Sequence, residues 1–481
     1  MHKKYRMKKI LTVASCLLSA VLLQAQTPKE GASSAEGDVL TFAVMSDTHF
    51  ENNVGVGARV KVPRALQCLT AQGPLDALVV VGDLTDGGRR QQYEQFVAAF
   101  TADSNFVHPV GRTMFMMGNH DNYARDARRN YAEGLARFNG GEPYPLDQFM
   151  FVNGYPFISI SQRNTKNSDA DSPSSGTGAF PEDVCQRIEG WLQTAAAECP
   201  DKPIFVFVHV PPTSTMYSSW DGEGTGDRRT ANWAMHPIGA VLARYPQVVV
   251  FSGHSHYPLS DPRSIHQGVN PTSPRNNFYT AVGTGSTTYS EIEGGTVDAG
   301  IHPAGFERVT EGLIVSVKKN GDVVLRRFDT FRGEEIDPAH LWTLKAPYDG
   351  SQFCYADVRD SLDLAPGQAF RDGLPAPTWK SGAALSFSTT SGEPTVSWPQ
   401  ATDDECVFRY QVEVRDAAGK LVETQWVFSG FFLGTAMPPT LSATLHKTEP
   451  GQTYSVEVTA FDSFKNASAD VLRGTVVTEG R

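Results

Sequence analysis

Between Asp38 and about Arg332, short apolar runs alternate with helix-patterned stretches. The runs are Leu40–Met45, Ala77–Val81, Thr113–Met117, Phe157–Ile160, Ile204–Val208, Val248–Phe251, Phe278–Val282 and Leu313–Val317. They are too short for helices and rich in Val, Ile and Phe, so they read as buried strands. Arg59–Ala71, Arg89–Ala102 and Pro181–Ala197 carry helical spacing. The last puts Val184, Ile188, Trp191, Leu192 and Ala195 on one face. Such alternation predicts an α/β domain whose helices cover the faces of its sheets. Two long polar stretches interrupt it, Gln162–Ala179 and Pro211–Thr230. Loops of that length in a compact domain are usually functional or mobile.

Five of the runs end in chemistry. Asp47-Thr48-His49 follows the first, Gly82-Asp83 the second and Gly118-Asn119-His120-Asp121 the third; His209 and Gly253-His254-Ser255-His256 follow two later ones. The C-terminal edge of an open α/β sheet is where ligands bind. Asp, His and Asn offer the oxygen and nitrogen donors that suit first-row divalent metals. In Asp-x-His and His-x-His, two donors from a short extended turn can face one centre. A carboxylate can bridge two ions. Two ions about 3.5–4 Å apart can hold a hydroxide and clamp the oxygens of a phosphoryl group. A lone strand-end His is usually structural, and that reading applies to His108, His236, His266, His302 and His340. Asp86 reads as a turn residue, and Arg89 and Arg90 as a solvated helix face. An Asp at 121 has a second reading, as the cap of a helix beginning near Tyr123. No Walker phosphate loop, Gly-x-Ser-x-Gly elbow or His-Glu-x-x-His zinc helix is present.

In this order the five blocks resemble the calcineurin-like metallophosphoesterase superfamily over roughly Asp38–Arg332. The resemblance implies a four-layer αββα sandwich with a dinuclear centre at the strand ends. One metal would take Asp47, His49, Asp83 and His256. The other would take Asp83, Asn119, His209 and His254, with Asp83 as the bridge. His120 would contact the phosphate and help the leaving oxygen depart, and Asp121 would orient it and support its charge. The cofactors expected are two divalent or mixed-valence transition-metal ions, with Mn, Fe and Zn foremost. Within the superfamily, Gly82-Asp83-Leu84-Thr85-Asp86-Gly87-Gly88 followed by Tyr93 looks most like the cyclic-nucleotide phosphodiesterase type. Purple acid phosphatases place a Tyr where Asp86 stands. Protein Ser/Thr phosphatases carry Asp-Arg-Gly in this block and Glu where Asp121 stands. Tyr217 and Trp220 in the second long loop have two readings, as aromatics that stack on a base or sugar or as anchors of the loop itself. The expected substrate is therefore a small phosphoester, a diester by preference, cleaved by in-line attack of the bridging hydroxide. The alternatives are a phosphomonoesterase at the same site, or a non-catalytic surface-binding protein that uses its C-terminal domain.

The ends of the chain differ from this middle. Lys3, Lys4, Arg6, Lys8 and Lys9 precede the apolar run Ile10–Leu23 and a small-residue site at Ala25, the layout of a secretory signal peptide over residues 1–25. The run falls short of the ~20 residues a membrane span needs, and no later stretch approaches that, so the expected product is secreted or periplasmic. Cys16 sits inside the apolar run, which argues against a lipoprotein anchor. Residues 26–37 form a flexible lead-in, and residues 333–382 a Pro- and Gly-broken connector. Residues 383–481 lose the helical patterns. Thr395-Val396-Ser397-Trp398, the Thr402-Asp403-Asp404 turn, Tyr410-Gln411-Val412-Glu413-Val414 and the run Pro450–Asp462 resemble the fibronectin type III family. That resemblance implies an immunoglobulin-like all-β sandwich. The formal charge of −11 argues against bulk binding of nucleic acid, and the leader takes only basic residues away with it. An anionic substrate then needs a local cationic pocket, which two divalent ions beside Asp47 and Asp83 would supply.

Overall fold

A computed structural model describes residues 37–51, 56–163, 182–217, 219, 236–292, 304–355, 375–390 and 393–479 of the 481-residue chain. The leader, nearly all of the lead-in, and Trp220 lie outside the described residues. In chain order the α/β region runs β1 (Asp38–Met45), α1 (Ala58–Thr70), β2 (Leu75–Val81), α2 (Arg90–Thr101), β3 (Val110–Met116), α3 (Ala127–Gly134), β4 (Asp147–Val152), β5 (Tyr155–Ile160), α4 (Glu182–Glu198) and β6 (Ile204–Val208). A short helix His236–Leu242 leads to β7 (Val248–Ser252), β8 (Ile265–Gln267), β9 (Thr280–Gly283), β10 (Glu311–Lys318), β11 (Val323–Asp329), β12 (Glu334–Ile336) and β13 (Trp342–Leu344).

These strands make two mixed sheets. The first has the order β12-β11-β10-β1-β2-β3, with β13 also paired to β11; the second has the order β4-β5-β6-β7-β9-β8. Strands β1, β2 and β3 run parallel, as do β5, β6, β7 and β9. Alternation along each strand sends side chains to two faces. Phe42, Val44 and Val79 meet Phe157, Phe205, Phe207 and Phe251 of the second sheet in one core. Phe42 takes Phe157 and Phe205 edge-on, with ring centres 5.0 and 4.9 Å away. On the opposite face, Ala43, Met45 and Val80 pack with Val62, Leu66 and Leu69 of α1 and Phe96 of α2. The second sheet's other face packs Ile158, Val206 and Val250 on Val184, Ile188 and Leu192 of α4.

One reading of the sequence needs correction here, and one strand went without a reading. Residues 334–344 lie within the stretch read as a connector, yet they supply β12 and β13 to the first sheet. The stretch Asp147–Val152 is an edge strand paired with β5, although its pattern is not that of a buried run. The C-terminal region is all-β. It has antiparallel sheets β14-β15-β18 (Ser386–Thr390, Glu393–Pro399, Thr440–Thr444) and β17-β16-β19-β20 (Leu421–Phe428, Val407–Arg415, Thr453–Asp462, Leu472–Val477). Val396 and Trp398 from one sheet share a core with Tyr410, Val412, Val456 and Val458 from the other. Among the described residues no helix is long and apolar enough to cross a membrane.

Candidate metal centre

The strand-end blocks converge. Three groups of donors lie close enough to hold an ion: Asp47, His49 and His256; His49, Asp83 and His120; and Asp83, His209 and His254. His256 Nε2 is 3.1 Å from Asp47 Oδ1, and His209 Nε2 is 3.2 Å from Asp83 Oδ2. His49 Nε2 lies 3.6 Å from Asp83 Oδ2 and 3.2 Å from His256 Nε2. Asn119 Oδ1 is 3.1 Å from His209 Nε2, and the Asn119 amide donates to Tyr123 Oη at 3.1 Å. All seven residues expected to ligate therefore gather around Asp47 and Asp83.

Local backbone geometry brings them there. Asp47, His49, Asp83, His254 and His256 all have positive φ, between 38° and 68°. For residues with a Cβ this left-handed region is costly, and it persists only where the surroundings over-determine it. Here the blocks brace one another: Asp47 N donates to Gly82 O (3.1 Å) and His49 N to Asp83 O (2.9 Å). Gly118 and Gly253 serve by absence. A Cβ on Gly118 would collide with Asp83 Oδ1, and one on Gly253 with Asp47 Oδ2. Neither glycine has a positive φ, so space rather than backbone freedom requires them.

Three of the imidazoles are held from behind. His209 Nδ1 lies 2.8 Å from Val81 O, His256 Nδ1 3.0 Å from Tyr289 O, and His49 Nδ1 3.2 Å from Asp86 Oδ1. A proton on each Nδ1 leaves Nε2 as the lone-pair nitrogen facing the centre, the support that metal-binding histidines commonly have. The donor chemistry and this tautomer control fit divalent transition ions. Burial would lower His49, but Asp47, Asp86 and Asp83 outweigh it and raise the imidazole to about 10. His209 is likewise raised to about 9, against burial, by Asp83 and Asp47. Burial would raise Asp47 and Asp83, yet the surrounding histidines hold both below the ordinary carboxylate range. Burial and His209 push His254 down to about 3. An ion bound here would have to displace protons from His49 and His209.

His120 stands at the rim, partly exposed. Its ring meets His49 edge-on at 4.5 Å, and its Nδ1 lies 3.2 Å from Asp86 O and 3.6 Å from Asp86 Oδ1. Asp121 does not orient it. The Asp121 carboxylate is fully buried and accepts from Leu84 N, Thr85 N, Thr85 Oγ1, Gly118 N and Tyr93 Oη at 2.8–3.0 Å. It ties two strand-end loops together, and Asp86 is the carboxylate beside His120. The capping alternative for Asp121 fails too, because the next α-helix begins at Ala127.

A further strand-end block went unread. Thr284–Ser290 follows β9 as the other blocks follow their strands, but its hydroxyls do not advertise metal chemistry. Thr288 Oγ1 donates to Asp47 O (2.8 Å), Thr284 Oγ1 to Ser46 Oγ (2.7 Å), and Ser46 Oγ to Asp47 Oδ2 (2.5 Å). Tyr289 in the same block lies 4.4 Å from the His256 ring. Position after a buried strand was the signal that would have found it.

These features define a strand-end His/Asp centre in an α/β fold. Residues 40–258 match the family model described as calcineurin-like phosphoesterase, so this segment is a calcineurin-like phosphoesterase domain. The purple acid phosphatase PPD1 from yellow lupin (Lupinus luteus) seeds aligns at 14% identity and TM-score 0.41, covering 66% of this chain and 55% of the lupin chain. PhoD aligns at 13% and 0.40, covering 71% of this chain and 78% of its own. The fibronectin domain of human collagen alpha-1(XX) aligns at 22% and 0.17, covering 22% of this chain and 85% of its own. Among curated proteins there is no match.

Proposed function

We propose that the protein is an exported, metal-dependent phosphoesterase that prefers small phosphodiesters. The observation that carries this reading is the gathering of five N/O donors around the two buried carboxylates of Asp47 and Asp83, with three imidazoles locked through Nδ1. On this reading Asp47, His49, Asp83 and His256 hold one ion, and Asp83, Asn119, His209 and His254 hold a second. Bound there, two such ions would supply a water-derived nucleophile at neutral pH and neutralise phosphoryl oxygens. The chain's own residues do the rest. With Nδ1–H donated to Asp86 O, His120 can pass a proton to the leaving oxygen only in its doubly protonated form, which gives up the Nε2 proton and is left neutral. Tyr123 and Tyr289 pack against His120 and His256, with ring centres 4.7 and 4.4 Å apart, and are the aromatic residues nearest a bound ester on this reading.

The four-layer αββα reading is supported by the three cores, one between the sheets and one on each outer face. The fibronectin-like reading is supported by buried Trp398 and by Tyr454, whose hydroxyl accepts from Glu449 N at 2.8 Å. Export rests on the leader pattern of residues 1–25. The test is turnover of bis- and mono-p-nitrophenyl phosphate after metal reconstitution, with elemental analysis of the same sample. Asp83→Asn is expected to abolish turnover of both. Retained activity in the metal-analysed variant refutes the centre, and a faster monoester refutes the diester preference.

A further inference from the structure

Among the described residues, the contacts between the C-terminal all-β region and the α/β region include a buried charged joint. Arg263 and Asp261, both buried, form a two-point ion pair with Nε–Oδ1 3.0 Å and Nη2–Oδ2 2.7 Å. Tyr257 Oη, which directly follows His256 in sequence, donates to Asp261 Oδ2 at 2.8 Å and accepts from Arg263 Nη2 at 2.9 Å. The guanidinium lies 3.6 Å from the ring centre of Tyr217, whose backbone N–H donates to Arg263 O at 3.0 Å. Tyr217 belongs to the segment that follows His209. One pair thus holds the segments that follow two histidine blocks.

Its outer half comes from the C-terminal region. Phe408 of β16 covers the guanidinium, with its ring centre 4.7 Å from Arg263 Cζ, and Ser463 Oγ donates to Asp261 Oδ2 at 3.0 Å. Tyr217, Tyr257 and Phe408 belong to one apolar cluster. Excluding water strengthens an ion pair and fixes its geometry, whereas the same pair in water is weak and mobile. The turn it backs needs such fixing, because His254 and His256 both sit at positive φ.

We infer that the C-terminal region is a structural part of the metal centre, with Phe408 and Ser463 acting as positioning residues that desolvate and complete the Asp261–Arg263 joint behind His254 and His256. The inference rests on the proposed role of those histidines as ligands. Mn2+ titration of the full-length metal-free protein tests it without any substrate. Phe408→Ala is expected to weaken Mn2+ binding about tenfold, as loss of outer support does elsewhere. Ser463→Ala shifts it in the same direction by less. Val456→Ala, a truncation in the C-terminal core away from the joint, leaves it unchanged. Wild-type affinity in Phe408→Ala, or an equal loss in Val456→Ala, overturns the inference. Should Phe408→Ala not fold, unchanged affinity in Ser463→Ala overturns it. A wild-type protein that takes up no Mn2+ sinks the metal-centre reading itself, a distinct failure.

Discussion

Ligand residues announce themselves by type, but the residues that make room for them do not. The order of Asp47, His49, Asp83, Asn119, His209, His254 and His256 was legible because each lies just past a buried strand. Gly118 gives no such signal, since sequence does not show that the Asp83 carboxylate occupies the space of its missing side chain. Gly118→Ala should therefore displace Asp83 and cut ion uptake by about tenfold or more. Elemental analysis of the purified variant checks this, and full metal content would contradict it. Asp86, not Asp121, stands beside His120, with its backbone oxygen 3.2 Å and its carboxylate 3.6 Å from Nδ1. Asp86→Asn should lower turnover about 10–100-fold, by removing the carboxylate charge behind His49 Nδ1. Asp121→Ala should act on folding, costing about 3 kcal/mol or more, since it orphans five buried donors. Denaturant midpoints and steady-state rates on the two variants separate the effects.

Elements with a strong internal pattern were legible, and elements defined by a partner were not. Helix α4 keeps Val184, Ile188, Leu192 and Ala195 buried on the face its spacing foretold. Strands β1, β2, β6 and β7 are continuous apolar runs because both of their faces are covered. Strand β11 escaped notice because Arg326 and Arg327 break its apolar character. Arg327 is nonetheless buried, donating to Leu259 O and His340 O at 3.0 and 2.9 Å. Short β12 and β13 have no pattern apart from the β11 edge they cover. Gly190 offers a clean test of element-level reasoning. It is exposed within α4, and a Cβ there meets nothing within 4 Å. Gly190→Ala should stabilise the protein by about 1 kcal/mol through helix propensity alone, with turnover unchanged. Thermal unfolding compared with wild type would show it, and destabilisation would mean that α4 packs differently.

At the scale of the whole molecule, no sequence pattern marks the contact between the two regions, because its members are single residues hundreds of positions apart, such as Asp261 and Ser463. Nor does sequence show which acids folding will bury. Glu311 begins β10 at 1% exposure, accepts from Leu259 N at 2.9 Å, and is raised by burial to about 8 from an ordinary 4.5. Below pH 4.5 both folded and unfolded chains keep this proton. Between 4.5 and about 8 the unfolded chain releases it while the folded chain retains it, so the folded state binds more protons and stability falls as pH rises. Above about 8 that contribution is fully lost. Glu311→Gln preserves an acceptor for Leu259 N and removes the titration. The variant's melting temperature should therefore gain on wild type steadily from pH 5 to pH 8. A difference between the two proteins that stays constant with pH would show that Glu311 is ionised in the fold, with Arg327 nearby supplying its counter-charge.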